Sequence, residues 1–259
     1  MTGNENADDS DDLTAPDAVA AEFVVRRSRG REARARAPRS RQAPWRAGTD
    51  RPDPVALLEG QATTRDIDIV PLRYERMSVS PFAFFRGAAL LMASDLATAP
   101  HTGITVQLCG DAHLSNFGLF GTPERRLIFD MNDFDETFPG PFEWDLKRLA
   151  TSFAVAGRHR GFSQEETRAC IRASAVGYRK AMRRAADAHV LDAWYDRFDA
   201  DSARRRIRAE RDRHRADDDT VDRLDAAVKK ARKRDRMRSF AKLVRVVDGR
   251  LRIIPKLSA

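Results

Sequence analysis

The chain has 259 residues with a formal net charge of +8, and 33% of its residues are charged. This length is enough for one well-packed core plus accessory segments. It contains no run of about 18 apolar residues, which excludes a membrane-spanning helix, and its acidic start lacks the pattern of a secretory signal. The two cysteines, Cys109 and Cys170, are too few for a disulfide framework. We therefore expect a cytoplasmic protein.

The basic charge lies in the two flanks of the chain. Residues 1–25 contain seven acidic residues and no Lys or Arg, whereas residues 26–51 contain ten Arg. We expect residues 1–53 to be a disordered leader, first acidic and then Arg- and Pro-rich, because its few apolar groups cannot offset the chain entropy. An interaction tail is the alternative for this segment.

Residues 54–200 form the predicted core, which begins with helical and extended segments. A short helix is expected at Pro54–Ala62, followed by an extended segment at 70–74. Ser80 followed by Pro81 is typical of a helix start, with Ser as the N-cap and Pro at the first helical position. This helix is expected to continue to about Ala99.

A strand, a loop and a hairpin follow. The segment 104–109 is short, apolar and β-branched, which predicts a buried strand. Gly110 permits a sharp turn into the loop that carries Asp111. Two further strands, 117–120 and 127–131, flank a segment of turn residues and predict a hairpin. The two ends of a hairpin lie close together, so polar groups at its start and end can face one pocket.

Those polar groups have the spacing of a phosphoryl-transfer site. Asp111 is the candidate catalytic group, which would orient or deprotonate an attacking hydroxyl. Asn116 and Asp133 are the candidate metal ligands, with Asp130 and Asp135 as alternatives, because Mg²⁺ prefers carboxylate and amide oxygens. The alternatives without function are a loop aspartate that caps backbone amides and a solvated acidic turn.

Four further side chains have expected roles around this loop. Arg86 and Arg76 either bind phosphate or form ion pairs with the acidic cluster at 133–136. His113 is expected to brace the loop through a hydrogen bond to the backbone. Asp145 is expected to accept hydrogen bonds from the loop amides and hold the loop in shape.

The remainder of the chain is mainly helical. A helix is expected from Glu143 to the glycines at 157 and 161, and a capping box at 163–166 opens a second helix toward Trp194. The basic segment 201–239 predicts a helix or a helix pair. The final segment, 240–259, contains an Asp-Gly turn between alternating runs and predicts a β-hairpin. The expected fold class is therefore α+β.

The loop resembles the catalytic loop of the small-molecule phosphotransferases in the protein-kinase-like superfamily, the aminoglycoside and choline type. The matching residues are Gly110, Asp111, His113 and Asn116, then Asp133-Phe134-Asp135 in place of Asp-Phe-Gly, then Asp145 on the following helix. Cys109 stands where that family has His. The resemblance implies a partial protein-kinase-like fold, with the catalytic hairpin packed on helices. It also implies Mg²⁺ and ATP, or another nucleoside triphosphate, as cofactors.

The segment from about Arg73 to Gly161 also resembles an uncharacterised bacterial family, domain of unknown function 2252. The matching strings are 80–87, 108–113, 132–137 and 142–149. Members of that family are usually longer and have a Gly-rich segment and a Lys-Glu-Ala segment after this region, which this sequence lacks. The resemblance therefore implies that the chain is an N-terminal part, with 240–259 beginning a missing second half. A truncated reading frame and a separately encoded C-terminal partner are the two alternatives.

Together these features predict a phosphotransferase-like protein that uses a magnesium nucleotide and acts on a small-molecule hydroxyl, and that is inactive alone if truncated. One alternative is a non-catalytic kinase-like module that contacts a protein or nucleic acid through 204–238. Alternating acidic residues and the lack of interleaved aromatics disfavour nucleic acid there. A metal-dependent phosphoesterase is disfavoured because only His101 and His113 lie near the acidic groups.

Overall fold

A computed structural model describes residues 15–42, 45–124, 126–213, 217–247 and 250–253. The helices are α1 (Ala15–Arg36), α2 (Arg39–Gln42), α3 (Pro54–Ala62), α4 (Val70–Ser78), α5 (Pro81–Gly87), α6 (Ala89–Ala97), α7 (Glu143–His159), α8 (Gln164–Asp187), α9 (Val190–Tyr195), α10 (Ala200–Asp212) and α11 (Asp218–Leu243). The strands are β1 (Thr105–Leu108), β2 (Phe117–Gly121), β3 (Leu127–Met131), β4 (Phe138–Pro141), β5 (Val244–Val247) and β6 (Arg250–Ile253). They pair as three antiparallel two-stranded sheets, which confirms the predicted α+β class.

Helix α1 lies within the predicted disordered leader. Its Ala, Arg and Glu residues are strong helix formers, and Ala33 and Ala37, at its end and just after it, are buried. Arg36 also donates a hydrogen bond to the carbonyl oxygen of Thr102 at 3.2 Å. Helix α1 thus occupies residues 15–36 of the segment that was expected to be a disordered leader. Residues 1–14 lie outside the described residues.

Helices α4 and α5 pack closely, and the observed helix bounds in this region differ from two predictions. The segment predicted as extended at 70–74 belongs to helix α4. The helix predicted over 80–99 starts as expected, with Ser80 accepting a hydrogen bond from the Ala83 amide, but it is interrupted at Ala88. A Cβ atom on Gly87 would lie 2.5 Å from Cγ of Met77, so a larger residue there would have to displace the Met77 side chain. At the break, Arg73 of α4 donates a hydrogen bond to the carbonyl oxygen of Gly87 at 2.6 Å.

The small sheets position the loop between β1 and β2. Strand β1 pairs with β4, and β2 pairs with β3 as the predicted hairpin, from Phe117 opposite Met131 to Gly121 opposite Leu127. The prediction that β1 is buried is wrong, because only Leu108 of this strand is buried. Within the described residues, strand β1 hydrogen-bonds to one neighbouring strand, β4.

Helix α7 contacts the loop, and α8 packs against α7. The predicted capping box is present, with Ser163 accepting from the Glu166 amide and the Glu166 carboxylate accepting from the Ser163 amide. Helix α8 ends at Asp187, and the extended backbone at Ala188 separates it from α9. The helix predicted to continue toward Trp194 is therefore two helices.

The basic segment is a helix pair, α10 and α11, held by ion pairs between arginines and aspartates. Arg204 and Arg208 donate to Asp225 at 2.6 and 2.9 Å, and these hydrogen bonds lower the pKa of Asp225 to about 2. Arg232 pairs with Asp201 at 2.9 Å. The hairpin of β5 and β6 is confirmed, whereas its Asp-Gly turn lies outside the described residues. Over the part of the chain that is described, no helix is both long and apolar enough to cross a bilayer.

Candidate functional site

The loop that leaves β1 is fixed at its base by helix α7. Gly110 has φ of +82°, in the left-handed region that favours glycine. Asp145, in the first turn of α7, accepts hydrogen bonds from the amides of Cys109 at 2.7 Å and Gly110 at 3.1 Å. These are the hydrogen bonds that the sequence analysis expected of Asp145, and they fix the direction in which the chain enters the loop.

The loop itself is held by a set of internal and α7 contacts. The His113 imidazole accepts a hydrogen bond from the Ser115 amide at 3.2 Å through Nδ1. The Asn116 side chain donates from Nδ2 to the carbonyl oxygen of Asp111 at 2.9 Å. The Leu114 amide donates to the buried hydroxyl of Ser152 at 3.0 Å. His113 and Asn116 are both buried, so the hydrogen bonds that hold the loop around Asp111 are shielded from solvent.

His113 is best described as a neutral brace. Its Nε2 lies 3.6 Å from Oδ2 of Asp111, beyond hydrogen-bonding distance. Burial is the largest influence and lowers the pKa of His113, the Asp111 charge acts in the opposite direction, and Arg148 and Arg86 lower it further. The imidazole is therefore neutral near neutral pH, which suits the bond it accepts at Nδ1.

Arg148 holds the candidate catalytic carboxylate. Its side chain is only 3% exposed, and Nε lies 2.5 Å from Oδ1 of Asp111. The same guanidinium donates to the carbonyl oxygen of Phe85 at 2.8 Å and lies 4.3 Å from the centre of the Phe85 ring. Arg148 thus joins α7, α5 and the loop. Sequence reasoning missed it, although it follows Asp145 by three residues and so lies on the same helix face.

A cavity of about 520 Å³ brings most of the predicted side chains together. Its lining comprises Gln61, Thr64, Arg65, Arg73, Arg86, Gly87, Ala89, Asp111, His113, Asn116, Asp133, Asp135 and Glu136. The catalytic candidate, three of the four metal-ligand candidates and Arg86 therefore share one space. Asp130 is not in this lining. It lies on β3, where its carboxylate accepts a hydrogen bond from the Met131 amide at 2.8 Å.

The cavity contains a few oxygen-bearing side chains of the kind that bind hard cations. Because Asn116 donates through Nδ2, its Oδ1 is fixed as the atom available to a cation. Asp133 and Asp135 are exposed carboxylates on the same lining. Among the described residues, no three or more His, Cys, Asp or Glu are grouped to hold a metal. Mg²⁺ accepts one or two carboxylates and completes its shell with water and phosphate oxygens.

The arginine that pairs with the acidic cluster at 133–136 is not one of the two that the sequence predicted. Arg65 pairs with Glu136 at 3.7 Å, so the arginine partner of the acidic cluster is one that was not considered. Within the described residues, Arg86 and Arg76 form neither an ion pair nor a hydrogen bond, so the ion-pair alternative is not observed for them. The guanidinium groups of Arg86 and Arg76 are therefore available for an anion.

Cys109, which replaces the expected His, is not an activated nucleophile. Burial is the main reason that the pKa of its thiol is raised to about 12, and the Asp145 carboxylate contributes to the same shift. The thiol is therefore protonated at neutral pH, whereas reactive cysteines need the thiolate. Its backbone amide, which bonds to Asp145, is the part that supports the site.

These features define a mixed α+β protein in which a loop aspartate, a carboxamide and three arginines line one cavity. The family model described as "Uncharacterized protein conserved in bacteria (DUF2252)" matches residues 65–257. This match covers more than half of the chain, and the chain belongs to that family. It includes the cavity residues from Arg65 to Glu136 and extends beyond the segment that carried the sequence resemblance. No curated protein and no solved structure matched the chain.

Proposed function

We propose that this protein is a magnesium–nucleotide-dependent phosphotransferase that acts on a small-molecule hydroxyl. The observation that carries the proposal is the single cavity lined by Asp111, Asn116 and Asp133. Phosphoryl transfer depends mainly on positioning and on neutralising charge, and these are the roles that such a set of side chains can fill.

Each side chain has a role in this proposal. Asn116 and Asp133 would hold the metal, which when bound neutralises charge on the nucleotide phosphates. Arg86 would bind a phosphate oxygen, because its guanidinium is unpaired and lies on the cavity wall. Asp111 would accept a hydrogen bond from the hydroxyl group of the acceptor and orient that group for attack. Since Arg148 fixes its Oδ1, its Oδ2 is the oxygen open to that hydroxyl.

The proposal includes a partial protein-kinase-like fold. Three arrangements support it, namely a catalytic loop that follows a strand, a hairpin that connects this loop to the second acidic group, and an aspartate on the next helix that binds the loop amides. The aspartate is Asp145, whose carboxylate contacts two successive amides. Such a contact maintains the loop shape whether or not a nucleotide is bound.

A non-catalytic binding module is the second candidate. The observation that favours it is the engagement of Asp111 by Arg148, which occupies one oxygen of the candidate catalytic group. A nucleic-acid partner for this module is less well supported. Arg204, Arg208 and Arg232 pair with aspartates, which reduces the free positive charge on α10 and α11.

The test is calorimetric titration with magnesium–ATP and magnesium–GTP. We expect magnesium-dependent binding that weakens about tenfold in Asp133→Asn, equivalent to about 1.4 kcal/mol. The matched control is Asp130→Asn, which removes an exposed carboxylate outside the cavity and should leave affinity unchanged. Nucleotide turnover with a panel of small alcohols then separates the two candidates, because a binding module would bind nucleotide without transferring phosphate. No magnesium-dependent nucleotide binding by the wild type would overturn the proposal.

A further inference from the structure

A second cavity, of about 590 Å³, lies beside the first and is formed mainly by α4 and α5. Its lining comprises Arg65, Asp66, Ile69, Val70, Leu72, Arg73, Arg76, Met77, Ala83, Arg86 and Gly87. Arg65, Arg73, Arg86 and Gly87 also line the first cavity. The two cavities therefore share a wall of three arginines, and a ligand in the second lies next to the space in front of Asp111.

The second cavity carries an excess of positive charge. Four arginines line it, against one carboxylate, Asp66. Burial lowers the pKa of Arg73 and the nearby charge of Arg65 lowers it further, whereas Glu136, Tyr74 and Asp111 act in the opposite direction. Arg73 donates a hydrogen bond to the carbonyl oxygen of Gly87 at 2.6 Å, and Arg65 pairs with Glu136. Arg76 and Arg86 make no ion pair with the described part of the chain. A bound anion would supply these two guanidinium groups with the partner of opposite charge that they lack within the described residues.

The rest of the lining is apolar, which gives the cavity two chemical sides. The apolar side includes Ile69, Leu72 and Met77. The side chains of Ile69 and Leu72 are 56% and 44% exposed. Exposed apolar side chains that face a charged wall suit a ligand with an anionic head and an apolar body. A simple inorganic ion would leave this apolar surface in water.

We infer that the second cavity binds the phosphate head of a small phosphorylated compound with an apolar body, and that this compound is the hydroxyl-bearing acceptor. Several guanidinium groups on one wall can bind the three oxygens and the double negative charge of a phosphate monoester. They suit such a ligand better than they suit a ligand with one carboxylate. The assignment as acceptor rests on the proposed function, whereas the phosphate binding does not.

The metal-bound phosphates of a nucleotide would occupy the other cavity. Asn116, Asp133 and Asp135 line only the first cavity, and phosphates bridged to a metal must lie beside its ligands. A phosphate in the second cavity is therefore a separate group on a separate molecule. The shared arginine wall places the two molecules side by side, as transfer between them requires.

The experiment is calorimetric titration of the full chain with phenyl phosphate, inorganic phosphate and benzoate, without metal or nucleotide. We expect phenyl phosphate to bind most tightly, because it alone combines a dianion with an apolar ring. Arg76→Gln should weaken that binding roughly tenfold by removing one charge-assisted contact. Arg76 is exposed and lines only the second cavity. The matched control is Arg172→Gln, an exposed arginine on α8 outside both linings.

Three results would overturn the inference. These are no binding of phenyl phosphate, benzoate binding as tightly as phenyl phosphate, and unchanged affinity in Arg76→Gln. If circular dichroism shows that this variant is unfolded, Leu72→Ala replaces it, because Leu72 is exposed, lines only the second cavity and should also weaken phenyl phosphate binding when truncated. Phenyl phosphate binding without magnesium–nucleotide binding would reject the phosphotransferase alone. Magnesium–nucleotide binding without phenyl phosphate binding would reject the second cavity as a phosphate site and would not affect the proposed function.

Discussion

Replacing Arg148 by methionine is expected to lower the free energy of unfolding by about 3–5 kcal/mol. The Arg148 side chain is 3% exposed and that of Asp111 is 14% exposed, so the change leaves a largely buried carboxylate without its counter-charge. It also removes the hydrogen bond to the Phe85 carbonyl oxygen, which joins α7 to α5. Urea unfolding followed by circular dichroism measures the loss.

Two controls separate the charge effect from the loss of packing. The double variant Arg148→Met with Asp111→Asn should recover part of the lost stability, because no unpaired charge remains. Arg232→Met breaks an exposed pair with Asp201 and should cost less than about 1 kcal/mol. If Arg148→Met costs no more than Arg232→Met, the buried ion pair does not organise the site as described.

Replacing Gly110 by alanine is expected to cost about 3 kcal/mol or more, from backbone strain and overpacking together. Gly110 has φ of +82°, and a Cβ atom there would lie 1.8 Å from the carbonyl oxygen of Glu136. The obstacle is backbone, so the loop and the acidic segment would have to move apart. That movement would separate Asp111 from Asp133 and weaken nucleotide binding along with stability. Thermal unfolding measures the first effect and nucleotide titration the second.

Gly161 provides the matched control for this variant. Its φ is +75°, close to that of Gly110, but a Cβ atom there meets nothing within 4 Å. Gly161→Ala should therefore show only the strain of a left-handed alanine, about 1 kcal/mol. The excess cost at Gly110 measures the contact with Glu136. Equal costs for the two variants would contradict the close packing of the loop on the acidic segment.

Local signals were sufficient for several elements of the fold. The cap at Ser80, the capping box at Ser163 and the hairpin of β2 and β3 depend on residues close in sequence, and all three were predicted. The helical residues 15–36 and 70–74 and the break at Ala88 were not predicted. At the break, the Gly87 carbonyl oxygen accepts a hydrogen bond from Arg73 of α4, a contact between two helices that no local pattern predicts.

The site shows the same division between local and tertiary information. The spacing of Asp111, Asn116 and Asp133 along a strand, loop and hairpin was enough to predict that they share one cavity. Arg148 and Arg65 were missed because each reaches the site from a distant part of the sequence, through helix packing. Sequence reasoning favoured Asp133 over Asp130, and of the two only Asp133 lines the cavity.

The most direct test of the central claim is a crystal structure with Mn²⁺ and a non-hydrolysable ATP analogue, using anomalous scattering to locate the metal. The account predicts a metal peak about 2 Å from Oδ1 of Asn116 and from a carboxylate oxygen of Asp133. A nucleotide phosphate should complete its shell beside Arg86. A metal bound by Asp130, or a nucleotide on a surface that does not include Asn116, would contradict the account.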